Sequence, residues 1–177
     1  SGLKKIIVVG AGPAGLEAAR VCSEQGHSVT VFEASDKPGG QINLITRSKR
    51  RKDMAGIIDW RINICEANKV KFNFNSFASK EEILSEKPDI VIIATGGIPN
   101  TDILNEGSDL VASTWDILSG NVNIEDDVIL YDDGGNYPGL QAAEMISSET
   151  SKLEIVTPER FFSPDIGGMN FVPYGKN

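Results

Sequence analysis

The sequence predicts an α/β protein with a Rossmann-like, three-layer fold around a parallel central sheet. Three observations support this prediction. Short runs of β-branched residues alternate with segments of helical spacing, glycine-rich strings follow two of those runs, and this arrangement occurs twice in the 177 residues. A strand, a glycine loop, a helix and a second strand in that order form a βαβ unit, whose crossover is right-handed. Few further elements follow the second unit, so we expect its lobe to be incomplete.

The first βαβ unit lies at the start of the chain. Residues 4–9 are apolar and rich in β-branched side chains, as expected of a buried parallel strand. Residues 14–25 show helical spacing that Gly26 ends, and residues 28–32 form the second strand. The glycine string therefore lies between the first strand and the helix, at the carboxyl edge of the predicted sheet.

The chain then continues the alternation of helices and strands. A loop that becomes strongly basic occupies residues 34–52. Hydrophobic spacing predicts a helix over 53–68, a strand over 70–74, a short helical turn over 80–86 and a strand over 89–94.

The second cycle resembles the first with lower fidelity. After a mixed segment at 98–127, it has a strand at 128–133, a glycine loop at 134–139, a helix at 140–149 and a strand at 153–157. The tail at 158–177 has no clear element. We therefore expect two domains, residues 1–100 and residues 101–177, the second of which is truncated.

The composition excludes several classes of protein. A hydrophobic content of 40% is too high for a disordered chain. The sequence contains no run of 18 apolar residues, which is the length that a membrane-spanning helix needs. The 17 Lys+Arg against 25 Asp+Glu give a net charge of −8, which argues against a nucleic-acid partner. Cys22, Cys65 and the single His27 are too few to form a disulfide framework or a metal site. We expect two reduced, buried thiols in a cytoplasmic protein.

The first glycine string has the G-x-G-x-x-G pattern of a dinucleotide-binding loop. It consists of Gly10, Ala11, Gly12, Pro13, Ala14 and Gly15. In such loops the first glycine allows a tight turn, the second lets a pyrophosphate approach the backbone, and the third lets the helix pack against the sheet. Glu33 ends the second strand, where its carboxylate can accept hydrogen bonds from a ribose and repel a 2′-phosphate. The pattern therefore favours FAD, NAD or ADP over NADP.

The second glycine string is imperfect. Gly134 and Gly139 keep the outer positions, but Asn136 stands where close approach to a pyrophosphate requires glycine. Two interpretations stay open: a lobe that binds NADH or NADPH, and a degenerate lobe that keeps the fold and binds the nucleotide poorly. Glu159 could accept from a ribose and Arg160 could bind a 2′-phosphate, so the sequence does not choose between NADH and NADPH.

Longer motifs resemble one family of flavoproteins. The GAGPAG string, GGQ at 39–41 and ATGG at 94–97 resemble the FAD-binding domain of glutathione-reductase-type proteins. The segments at 50–61, 88–97, 113–120, 128–144 and 155–174 resemble the C-terminal part of the old-yellow-enzyme-like NADH:flavin oxidoreductases. That family includes 2,4-dienoyl-CoA reductase, trimethylamine dehydrogenase and N-methylproline demethylase-like proteins. The resemblance covers essentially the whole chain.

The resemblance implies a fragment of a flavin-dependent oxidoreductase. Members of the family have an N-terminal TIM barrel with FMN and a 4Fe-4S cluster, which this chain lacks. The expected function is to bind FAD and relay electrons between NAD(P)H and the barrel, and the isolated fragment is expected to be inactive. The alternative is a non-catalytic module that binds ADP. No catalytic residue and no metal ligand is identified, and the oligomeric state stays open.

The resemblance also assigns further residues to the FAD site. Ala34 would lie near the adenosine, Gly40 and Gln41 near the phosphates or the ribityl chain, and Thr95 and Gly96 where the chain crosses the nucleotide.

Overall fold

A computed structural model describes residues 2–102 and 104–174, which form two compact units. The first unit comprises the residues up to Thr46 together with Arg50–Gly97. The second comprises Arg47–Lys49 and the residues from Ile98 onward. Each unit has its own parallel sheet, in agreement with the predicted α/β fold class.

The sheet of the first unit has four parallel strands in the described residues. They are β1 (Lys5–Val9), β2 (Ser28–Phe32), β3 (Lys71–Asn73) and β4 (Ile90–Ile93), in the spatial order β3-β2-β1-β4. Lys5 lies opposite Ser28, and Ile6 lies opposite Ile90. Strand β4 is at the edge of this sheet, and its last residue, Ile93, is 76% exposed.

Helices of the first unit begin and end at recognisable signals. They are α1 (Pro13–Glu24), α2 (Ile42–Ile45), α3 (Gly56–Ala67) and α4 (Lys80–Ser85), with a 3₁₀ segment at Lys49–Ala55 before α3. Pro13 suits the first turn of α1 because that turn needs no N–H from it. Ser79 and Glu82 form a reciprocal capping box at the start of α4.

Alternate strand residues form the core of the first unit. Ile6 and Val8 of β1 and Val29 and Val31 of β2 are buried on the same face of the sheet. The same core includes Leu16 and Ala19 of α1 and Ile58 and Cys65 of α3, so both helices cover this face.

Gly15 sets how closely α1 approaches β1. A Cβ at Gly15 would overlap the carbonyl oxygen of Gly10 and lie 3.3 Å from the Cβ of Ala94. Any larger residue must move the helix away from the strand or distort the loop.

The second unit contains one βαβ unit. That βαβ unit consists of β5 (Asp127–Tyr131), α6 (Tyr137–Ser147) and β6 (Lys152–Val156). The 3₁₀ turn Ser108–Leu110 and helix α5 (Thr114–Ser119) precede it, and helix α7 (Gly168–Phe171) follows it. Strands β5 and β6 are parallel, with Asp127 opposite Lys152. Leu130, Ala142, Ala143 and Ile146 form its buried core.

Several predicted boundaries were wrong, for local reasons. The helix predicted over 53–68 begins at Gly56, because the residues before it form the 3₁₀ segment. The helix predicted at 140–149 begins at Tyr137, since Pro138 suits the first turn. The strand predicted at 128–133 ends at Tyr131. Three short helices, α2, α5 and α7, lie in segments where no helix was predicted.

We expect Gly15→Ala to lower the free energy of unfolding by about 2 kcal/mol, although alanine is the better helix former, because its Cβ overlaps the Gly10 carbonyl. Urea denaturation measures this change. The matched control is Gly12→Ala in the same loop, where a Cβ has no neighbour in the described structure, and a change within about 1 kcal/mol is expected there. Equal losses in the two variants would contradict the packing role of Gly15.

The two thiols should differ in reactivity. Cys65 is fully buried, and its burial raises the pKa of the thiol to about 11, whereas Cys22 is half-buried. A thiol reagent should therefore modify Cys22 in the native protein and Cys65 only after denaturation. Mass spectrometry of Cys22→Ser and Cys65→Ser variants assigns each reaction, and rapid native labelling of the Cys22→Ser variant would argue against a buried Cys65.

Candidate functional site: the glycine loop after the first strand

The GAGPAG loop joins β1 to α1 beside the ends of β2 and β4. The Gly10 N–H donates to the Phe32 carbonyl at 2.7 Å. Gly10 has φ +103°, and a Cβ there would overlap the carbonyl oxygen of Ala94. Glycine is therefore required both by the backbone angle and by the approach to the end of β4.

Gly12 is the N-cap of α1 and borders open space. Its backbone is extended (φ −71°, ψ 179°), and no described atom lies within 4 Å of the position that a Cβ would take. Pro13 has no N–H, and the N–H groups of Ala14 and Gly15 have no acceptor within the first turn of the helix. Together with the partial positive charge of the helix end, these donors suit an anion such as a phosphate.

Glu33 follows β2 and ties the loop to it. Its Oε2 accepts from the Ala11 N–H at 2.6 Å, and its Oε1 accepts from the Ser35 N–H at 2.8 Å. Each carboxylate oxygen can accept a further hydrogen bond, so the hydroxyls of a ribose could be added. Ala34, the next residue, is exposed beside this carboxylate.

The sequence predicted Glu33 as a ribose acceptor, which stays a prediction, and did not indicate its bond to Ala11. That bond joins residues 22 positions apart in two different elements, and no sequence spacing indicates it.

The glycine pair after β2 folds back onto the GAGPAG loop. The Gly39 N–H donates to the Ala11 carbonyl at 2.8 Å. Gly40 lies against Gly12, since a Cβ on Gly40 would be 3.2 Å from the Gly12 Cα. The structure therefore brings two distant glycine clusters of the sequence together.

The residues after β4 border the same loop. The Ala94 N–H donates to the Val9 carbonyl at 2.8 Å, and the backbone N of Thr95 would be 3.2 Å from a Cβ on Gly10. The side-chain nitrogen of Gln41 would be 3.8 Å from a Cβ on Gly96. The residues predicted for the FAD site in the first unit thus lie at one edge of its sheet, and their contact with a cofactor stays a prediction.

The second glycine string is built differently. Asp132, which the sequence assigned to a strand, begins the loop: its N–H donates to the Val156 carbonyl at 2.9 Å, and its carboxylate is buried. The loop ends at Asn136, the N-cap of α6, which makes no side-chain capping bond. Gly139 lies in the first turn of α6, as Gly15 does in α1, and Gly134 is exposed within the loop.

Residues 2–102 and 104–174 have neither a metal-binding cluster nor a membrane-spanning helix. No group of three His, Cys, Asp or Glu side chains is placed to hold a metal ion. No helix in these ranges is both long and apolar enough to cross a bilayer.

Comparison with known proteins places the chain among flavoprotein oxidoreductases. The family model of an NAD(P)-binding Rossmann-like domain matches residues 8–69. A probable N-methylproline demethylase of Rhizobium meliloti (strain 1021) is 52% identical over 171 residues, covering 97% of this chain and 25% of the relative. An N,N-dimethylglycine/sarcosine dehydrogenase of Chromohalobacter salexigens is 40% identical over 178 residues, covering 97% of this chain and 26% of the relative.

Solved structures give the same result. A 2-naphthoyl-CoA reductase complex matches with a TM-score of 0.88 and 33% identity, covering 99% of this chain and 26% of that chain. Histamine dehydrogenase from Rhizobium sp. 4-9 matches with a TM-score of 0.83 and 26% identity, covering 99% of this chain and 28% of that chain.

This chain spans about a quarter of the length of the curated relatives that it matches most strongly. A multifunctional alkene reductase/demethylase of Caballeronia cordobensis is also 43% identical over 141 residues, covering 80% of this chain and 21% of the relative. The chain therefore contains an NAD(P)-binding Rossmann-like domain and is similar, over nearly its whole length, to about a quarter of these oxidoreductases and demethylases, which is consistent with the C-terminal part of the 2,4-dienoyl-CoA reductase-like family.

Proposed function

We propose that this chain holds the FAD of a larger flavoprotein oxidoreductase through the GAGPAG loop. The observation that carries the proposal is the open space at Gly12, which lies between the N-terminus of α1 and the loop held by Glu33. An extended N-cap with free space beside it allows a pyrophosphate to approach the backbone. In this proposal residues 1–100 form the domain that binds FAD or ADP, and residues 101–177 form a connecting segment and a truncated NAD(P)-binding lobe.

In this proposal Glu33 binds the adenosine half of the nucleotide. With one oxygen on Ala11 and the other on Ser35, the carboxylate is fixed in position before any ligand binds. A ribose diol can donate to it, whereas a 2′-phosphate would place like charges in contact. This geometry favours FAD or ADP over a 2′-phosphorylated nucleotide at the first loop.

In this proposal the flavin half of the nucleotide lies beside the residues that follow β2 and β4. Gly40, Gln41, Thr95 and Gly96 border the loop on the side of β4, where an extended dinucleotide could continue past the pyrophosphate. FAD, when bound, supplies hydride and single-electron chemistry. The chain's own residues bind and orient it, which agrees with the lack of any catalytic acid or base in the sequence prediction.

The wider relay includes parts outside this chain. We propose that electrons pass between this flavin and the FMN and 4Fe-4S centre of an N-terminal TIM-barrel domain, and that the isolated chain is inactive. The family resemblance implies NADH or NADPH at the second loop, near Gly134 and Gly139. A cytoplasmic location, where Cys22 and Cys65 stay reduced, belongs to the same proposal.

A second candidate function is a non-catalytic module that binds ADP. It is favoured by the contacts of the first loop, because Gly12, the helix end and Glu33 all fit the adenylate half that ADP and FAD share. Binding of ADP with no binding of FAD would select this candidate.

The proposal is tested by calorimetric titration of the chain with ADP and with FAD. We expect one nucleotide per chain, and we expect Gly12→Asp to weaken binding about 100-fold or more, since its carboxylate would occupy the phosphate space. Aspartate is a favourable N-cap residue, so stability should not fall.

The matched control is Gly56→Asp, which also adds a carboxylate at an open position at the start of a helix, α3. It should leave nucleotide affinity unchanged. Tight ADP or FAD binding by Gly12→Asp would refute the pyrophosphate assignment, and no binding of either ligand by the unchanged chain would refute the proposed function.

Glu33 should set selectivity against a 2′-phosphate. We expect the chain to prefer AMP over adenosine 2′,5′-bisphosphate, which differs only by its 2′-phosphate, by about tenfold or more, and Glu33→Gln to reduce this preference because it removes the negative charge. The exposed Asp36 provides the matched control, Asp36→Asn, which removes a carboxylate from the same loop. An unchanged preference in Glu33→Gln would contradict the assignment.

A further inference from the structure

The loops after β1 and β5 occupy equivalent places in their βαβ units. In each unit the first loop residue donates its N–H to the last carbonyl of the neighbouring strand: Gly10 to Phe32 at 2.7 Å, and Asp132 to Val156 at 2.9 Å. The helices that follow contain similar sequences near their starts, GLEAAR at 15–20 and GLQAAE at 139–144. By this hydrogen bond Asp132, and not Gly134, corresponds to Gly10, because the second loop is two residues longer than the first.

The carboxylate of Asp132 lies against the start of α6. Its Oδ1 accepts from the Gly135 N–H at 3.1 Å, and a Cβ on Gly139 would lie 2.8 Å from the same oxygen. Asp132 is only 5% exposed. A backbone N–H of the loop and the positive end of the helix, the groups that hold phosphate in such loops, are thus already next to a resident negative charge.

The outer side of this loop is covered as well. A Cβ on Gly135 would lie 2.9 Å from the Cδ of Pro164, and the Gly135 carbonyl accepts from the Asp165 N–H at 3.0 Å. Gly12 of the first loop has no such neighbour in the described structure. The two loops therefore differ both in charge and in free space.

We infer that Asp132 excludes the pyrophosphate of NADH and NADPH from the second loop, so that the chain holds a single adenine nucleotide, at its first loop. A diphosphate at the second loop would lie beside a buried carboxylate whose Oδ2 has no hydrogen-bond partner within the described residues. The negative charges of the diphosphate and of this carboxylate would repel each other strongly, because both would lie in a partly buried site.

This inference rests on the proposed function for the first loop and narrows it. The electron relay of the proposed function then has no NADH or NADPH at the second loop. Asp132 is the residue that determines this specificity, because it excludes the pyrophosphate of both nucleotides. The second βαβ unit keeps its parallel strands and its buried core without keeping the pyrophosphate site.

The test uses the full chain with Gly12→Asp, which disables the first loop, so that only the second loop is measured. Titration of this variant with NADH and with NADPH, followed by nicotinamide fluorescence, should give no saturable binding. Adding Asp132→Asn keeps an oxygen for the Gly135 N–H and removes the charge, and saturable binding of NADH or NADPH should then appear. Adding the exposed Asp133→Asn instead is the matched control and should change nothing.

Two results would overturn the inference: saturable one-to-one binding of NADH or NADPH while Asp132 is intact, or the same affinity with and without Asp132→Asn. Circular dichroism confirms the fold of each variant, and Asp132→Gly, which restores the residue of the first loop, replaces Asp132→Asn if that variant does not fold. ADP binding by the unchanged chain is measured separately, so failure of the proposed function is distinguished from failure at the second loop.

Discussion

The close approach of α1 to β1 at Gly15 is the constraint on which the first unit depends. Because no side-chain atom separates the helix from the Gly10 carbonyl, the N-terminus of α1 lies directly at the carboxyl edge of the sheet. The ends of β2 and β4 meet the same edge, which brings Glu33 and Thr95 to the loop. The residues of the candidate nucleotide site therefore come from the ends of three strands.

Local sequence patterns were sufficient for the fold class. The β-branched run before Gly10 and the helical spacing that Gly26 ends depend only on near neighbours, and the parallel βαβ unit that they predicted is confirmed. The short helix α5 was missed although its signal was present, since Ser113 and Asp116 form a capping box. The strand predicted to reach residue 133 was too long because acidic Asp132 was counted as part of an apolar run.

The sequence indicated which residues lie at the candidate site better than it indicated the hydrogen bonds and packing contacts between them. The glycine spacing indicated a loop of the right kind at the right place, and the environments of Gly10 and Gly15 agree with the backbone roles predicted for them. The bond between Ala11 and Glu33 and the packing of Gly40 on Gly12 depend on the tertiary fold, so the sequence could not indicate them. Ligand contacts at all these residues stay predictions.

The exposed strand β4 has a consequence for handling the chain on its own. Its outer edge has no neighbouring strand in the described sheet, and Ile90 is 45% exposed and Ile93 76% exposed. An unpaired apolar edge strand is a template to which another extended segment can add by hydrogen bonding. Solubility of the separate chain therefore depends on whether that edge meets a second copy, and a protecting strand or a charged substitution at Ile93 would reduce aggregation.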